Sequence, residues 1–130
     1  MSNQPKLSTL VVLRDVADER VRQETKWGEQ NHPNLPRGVK YPCAFFALPT
    51  ANAARMHCDD AFKRGIGSYA HVLIEEVCEA IEDANDPVKL RSELIQVAAV
   101  AAAWVEKIDR DAEAAAQASP INTTARTEFR

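Results

Sequence analysis

The sequence predicts an all-α protein, a bundle of four to five helices, and three observations carry that prediction. Glycine is scarce at 4 of 130 residues, with 7 prolines, too little turn chemistry for a sandwich or barrel of many short strands. Aromatic residues make up only 6%, while alanine, the best helix former, is abundant. Apolar residues recur at helical spacing along most of the chain. Collagen, low-complexity disorder and a dinucleotide-binding Rossmann domain are excluded, the last because it needs a glycine-rich turn. At 14.4 kDa the chain suits one domain. The expected organisation is a loose segment over 1–6, a helical domain over 7–116 and a polar tail over 117–130.

A first helix is expected from about Ser8 to Trp27, with Leu10, Leu13, Val16 or Ala17, Val21 and Glu24 at helical spacing. The opening Ser8–Leu13 also fits a short strand. From Gly28 to Pro49 the four prolines Pro33, Pro36, Pro42 and Pro49 read as a long irregular connection, of the kind that often carries function. Thr50 caps a second helix to about Arg64, which Gly65 and Gly67 end. Ser68 opens a third helix to about Ala84. Asp86-Pro87 is a cap followed by proline at the first helical position, and starts a fourth helix to about Ala116.

Charge and cysteine usage narrow the setting. The net charge of −3 argues against a protein that coats nucleic acid or anionic membranes. No apolar segment follows a basic N-terminus, so no secretory signal is expected. The longest uncharged apolar run, Leu94 to Val105, is shorter than the ~20 residues of a membrane span. Cys43, Cys58 and Cys78 are odd in number and form no CxxC pair, which fits free thiols in a reducing cytoplasm. The sequon at Asn122 carries no meaning without secretion.

The chemistry concentrates on the third and fourth helices. On a helical projection Leu73, Ile74, Val77, Cys78 and Ile81 share one arc, and Glu75, Glu76 and Glu79 share the opposite one. Like charges at i,i+3 and i,i+4 repel unless a cation compensates them; the plain alternative is a solvated face. On the fourth helix Glu93 falls inside the apolar arc beside Val97 and Trp104, with Gln96 at its margin. A carboxylate there is costly unless paired, protonated or coordinating. The Asn85-Asp86-Pro87 turn packs the two helices antiparallel, so Glu75, Glu76 and Glu79 can face Glu93. Such an oxygen-rich site suits Mg²⁺ or Mn²⁺, and Mg²⁺ in turn favours a polyphosphate partner. Between Glu75 and Glu93 seven acidic residues meet two basic ones, so the rest of the chain is slightly basic. The fourth helix is apolar nearly all round from Leu94 to Val105, more than a 130-residue bundle can cover, and oligomerisation is expected.

The segment EEVCE, thirteen residues, then ELIQ resembles the EExxE…ExxD signature of the MazG-like all-α nucleoside triphosphate pyrophosphohydrolases. The flanks RVRQETKWGEQNHP and LRSELIQVAAVAAAWVE extend the resemblance over Ala17 to Ile108. It implies hydrolysis of a (deoxy)nucleoside triphosphate to monophosphate and pyrophosphate, in nucleotide-pool cleansing. It implies Mg²⁺, or Mn²⁺, on Glu75, Glu76, Glu79 and Glu93, with Glu76 and Glu79 catalytic, and a homodimer or homotetramer. The sequence departs from the pattern at Gln96, where the family has Asp, and this favours the alternative of a catalytically weak helical interaction or regulatory protein. A plain helical assembly protein is a third reading. Gln23, Lys26, Trp27 and Gln30, beside His32, suit a nucleotide pocket: Trp27 stacks on the base, Gln23 or Gln30 bonds its edge, Lys26 meets phosphate. Gln96 is a further substrate-binding candidate. The plain alternative for Trp27 is core packing. Arg55, Lys63 and Arg64 offer further phosphate charge or a solvated face. His71, one turn before Glu75, either orients it or lies on the surface. His57, Cys58, His71 and Cys78 lack zinc-ligand spacing.

Overall fold

A computed structural model of the chain describes residues 3–118, which contain five helices and no strand. Helix α1 spans Leu7–Trp27, α2 Pro42–Phe45, α3 Ala51–Lys63, α4 Tyr69–Glu82 and α5 Pro87–Ala118. Ser8–Leu13 is helical, not a strand. The four-residue α2 sits inside the proline-rich connection and was not foreseen; Pro42 occupies its first position, where the missing N–H costs nothing. Gln117 and Ala118 belong to α5, and the rest of the expected tail, with Asn122, lies outside the described residues. So do Met1 and Ser2 of the expected loose start.

The helix ends follow local chemistry. Thr50 Oγ1 accepts from Ala53 N at 3.1 Å, and Ser68 Oγ accepts from His71 N at 3.3 Å. Asp86 Oδ1 accepts from Lys89 N at 3.2 Å, capping α5. Each bond satisfies an N–H that a helix start otherwise leaves open. Gly65 ends α3 at φ +76°, a left-handed geometry that glycine adopts without strain. Ile66 N returns to Ala61 O at 2.9 Å.

Helix α4 lies between α3 and α5, while α1 packs on α5. Small side chains form the core: Ala51, Ala54, Cys58 and Ala61 on α3, Cys78 and Ala80 on α4, Ala84 after it, and Ala102 on α5. Cys43 on α2 docks with Ala54 and Cys78, with Leu48 and Ile81 against them. Cys43 Sγ meets Cys78 O at 3.4 Å. The three cysteines are free and buried, and burial raises each thiol above its ordinary pKa. Large apolar side chains stay outside this core. Leu10, Val11, Leu13 and Val16 on α1, and Leu94, Ile95, Val105 and Ile108 on α5, are all exposed. No helix of the described residues is long and apolar enough to cross a membrane.

Candidate functional site

Glu75, Glu76 and Glu79 of α4 are half-buried, because α4 is covered on two sides, while Glu82 at its end is exposed. The sequence sets Ile74 on the apolar arc and Glu75 on the opposite one. In the structure Ile74 is 50% exposed and the Glu75 side chain only 16%. Packing from two neighbours, not the amphipathic arc of one helix, decides which face is covered.

Arg55 of α3 reaches this acidic strip. Its Nε stands 3.9 Å from Glu75 Oε1 and 3.9 Å from Glu79 Oε1. These are long ion pairs on a half-exposed arginine, and such pairs contribute only about 0–1 kcal/mol each. Their weight is positional: a guanidinium stands where two carboxylates would otherwise repel. Arg64, by contrast, pairs with Asp60 on its own helix at 3.6 Å.

Across the seam, Glu93 on α5 has a buried Oε2 with no hydrogen-bond partner. Burial pushes its carboxyl up to about 7; a side-chain hydrogen bond with Asp83 and the charges of Asp83 and Glu79 push the same way, and Lys89 pulls back. Glu76 is raised too, by burial first, then by Glu79 and Glu75. The charge of Glu79 thus acts on Glu76 of its own helix and on Glu93 across the seam, while Arg55 from α3 stands 3.9 Å from it. Of the three α4 carboxylates expected to face Glu93, Glu79 is the one whose charge acts on it. Asp83, which the helical projection did not single out, joins it at the turn end.

A cation fits this donor set in one respect. All the donors are carboxylates, the hard oxygen ligands that Mg²⁺ and Mn²⁺ take, and Glu93 Oε2 is a buried oxygen without a partner. Among the described residues, no three carboxylate, imidazole or thiol groups stand together as a metal-holding cluster. Gathering them on one ion requires side-chain rotation around Glu79.

The remaining candidates lie apart from the seam. Gln96 is exposed and lines a cleft with Pro87, Val88, Arg91, Ser92 and Ile95. Gln23 accepts from Arg20 Nη1 one turn away on α1. Trp27 is 62% exposed, which removes the core-packing alternative, and Lys26 Nζ lies 4.8 Å from its ring centre. Gln30 and His32 are exposed in the connection, which Asn34 ties to the α4–α5 turn by donating to Ala84 O at 3.3 Å. His71 does not orient Glu75: its Nδ1 lies 2.7 Å from Ser68 Oγ and its ring packs edge-on against His57 at 5.4 Å.

Arg55 and Asp83 enter only through tertiary proximity. A helix boundary signal cannot supply that, although Asp83, one turn beyond Glu79, lies on the same α4 strip. Comparison with protein-family models, with curated proteins and with solved structures finds no match for this chain.

Proposed function

We propose that this protein is a Mg²⁺-dependent pyrophosphohydrolase of the MazG-like type, acting on nucleoside or deoxynucleoside triphosphates. The products are the monophosphate and pyrophosphate. One observation carries the reading: Glu93 holds a buried oxygen with no hydrogen-bond partner, and the charge of Glu79 acts both on Glu93 and on Glu76. Glu75, Glu76, Glu79 and Glu93 are the residues that would hold Mg²⁺, or Mn²⁺ in its place. When bound, the ion supplies charge neutralisation for the polyphosphate and a more acidic water.

The chain's own groups do the rest. Glu76, its carboxyl raised by burial and by Glu79 and Glu75, is the proton acceptor for the attacking water, since a raised carboxylate is better matched to that task. The bond between the α- and β-phosphates breaks, and the departing pyrophosphate takes the electron pair. Arg55, beside Glu75 and Glu79 and half exposed, is placed to meet phosphate oxygens. The exposed apolar residues of α1 and α5 form the contact of a homodimer or homotetramer, since patches of that kind mark protein interfaces.

A catalytically weak interaction module is the second reading, and Gln96 favours it. The family pattern places Asp there, whereas this chain presents an uncharged amide to solvent, one turn beyond Glu93. One assay separates the two. The purified protein is incubated with a panel of nucleoside and deoxynucleoside triphosphates plus Mg²⁺. Pyrophosphate and monophosphate are the expected products. Orthophosphate with diphosphate overturns the cleavage position, and no turnover across the panel leaves the interaction module.

A further inference from the structure

The seam that carries the carboxylates continues, at its other end, into an aromatic cavity of about 620 Å³. Phe62, Gly67, Tyr69, Val72, Trp104 and Lys107 are among its lining residues. The Tyr69 and Trp104 rings stack nearly parallel, with centres 5.8 Å apart and planes 10° from each other. Gly67 is required here for a local reason: a Cβ at that position would run into the Phe62 ring. The α3–α4 turn thus lays one aromatic ring directly on backbone and leaves an apolar slot beside two more.

We propose that this cavity receives the nucleobase of the substrate, with the sugar and phosphates running along the α4–α5 seam towards Glu76 and Glu79. The inference rests on the nucleotide reading above and assigns the base to Tyr69 and Trp104 instead of Trp27. Tyr69, Val72, Glu76 and Glu79 follow one another on one strip of α4, as i,i+3 and i,i+4 neighbours do. Tyr69 to Glu76 is seven residues, about 10 Å of helix rise, the reach of a nucleoside monophosphate. Every base has a flat face that stacks on an aromatic ring, and the half-buried Tyr69–Trp104 pair offers such a surface in a cavity already walled by Phe62. Lys107, ion-paired to Asp111 on the same helix, sets an ammonium at the rim for a carbonyl on the base edge. The slot shares the exposed Ile108 with the apolar surface of α5, but its two large rings stack on each other and are half-buried.

The test uses tryptophan emission without metal, so that it does not depend on hydrolysis. In a Trp27→Phe variant Trp104 is the remaining indole. The four common deoxynucleoside monophosphates are titrated with chelator present, and deoxyribose 5-phosphate serves as the base-free control. At least one monophosphate is expected to quench Trp104 saturably while the control does not. Tyr69→Ala should weaken that binding by about tenfold, and Tyr69→Phe should restore it. No saturable quenching by any of the four overturns the proposal, as does equal quenching by the base-free sugar phosphate. A reporter pair in which Trp104→Phe retains nucleotide quenching through Trp27, and Trp27→Phe loses it, also overturns it. So does acrylamide shielding of Trp104 that grows with protein concentration, since a second copy would then fill the slot. Quenching without pyrophosphate release keeps the base site and removes the hydrolase reading. Release without quenching keeps the hydrolase and removes this base site.

Discussion

The two faces of α5 are built from similar residues and meet opposite fates. The face towards α4 carries Leu90, Glu93, Val97, Val100 and Trp104, all half-buried, and it holds polar groups where desolvation perturbs them. The outward face carries Leu94, Ile95 and Val105, exposed by 50%, 56% and 41%. The comparison teaches that apolar content does not say which side of a helix is the working side. In the proposed function the half-buried carboxylates are the chemical face, and the uncovered aliphatics are the face that would assemble.

The largest expected effect breaks the chemical face. Glu79→Gln removes the carboxylate common to the α4 and α5 groups, and pyrophosphate release should fall by about a hundredfold or more, with helicity unchanged by circular dichroism. Full activity would detach the chemistry from the seam. Next comes the assembling face. Leu94→Asp combined with Val105→Asp should convert the proposed oligomer to monomer in sedimentation. The same variant should lose the concentration dependence of Tm that a dimer shows by mass action. If the unaltered chain already sediments as a monomer, the contrast between the two faces fails.

A smaller effect sharpens the contrast through pH. The Glu93 carboxyl is raised to about 7, by burial first, whereas in the unfolded chain it returns to about 4.5, its ordinary value. Between those values the folded state binds more protons than the unfolded one, so stability falls as pH rises through this window. In metal-free buffer, denaturant midpoints should therefore drop from pH 5 to pH 7.5. Glu93→Gln should flatten that slope and raise the midpoint at the upper end. An unchanged slope would mean that Glu93 is solvated. The smallest effect is Thr50→Ala, which removes the α3 cap and should cost about 1 kcal/mol, read by thermal melting.

Much of the fold was legible because helix ends carry local chemistry. Thr50, Ser68 and Asp86 cap where the sequence places them, and Gly65 ends α3 by a backbone angle that glycine alone adopts freely. Helix α2 was illegible because four residues give no periodicity, and the prolines around it point to loop. In the site, Glu93 was legible as a charge inside an apolar arc. Of the partners expected across the short turn before Pro87, Glu79 acts on it electrostatically. The placement of Arg55 beside Glu75 and Glu79, Asp83 and the Tyr69–Trp104 stack were not legible, since each depends on how far two helices slide past one another. That offset is set here by alanine and cysteine at the contacts, residues too small to announce a register in the sequence.

The tie between the ends of the chain has a kinetic consequence. Thr9 Oγ1 donates to Glu106 Oε1 at 2.9 Å and Ser8 Oγ donates to the same oxygen at 3.3 Å, across 97 and 98 residues of sequence. The α4–α5 hairpin, closed by four residues, forms through local contacts and needs no such closure, which is the condition for rapid formation. Docking of α1 must bring distant segments together for one buried aliphatic, Val12, so it is the last step of folding and the first to reverse. Amide exchange in α1 should then run well ahead of exchange in α4, with the hairpin keeping its protection while the first helix comes and goes.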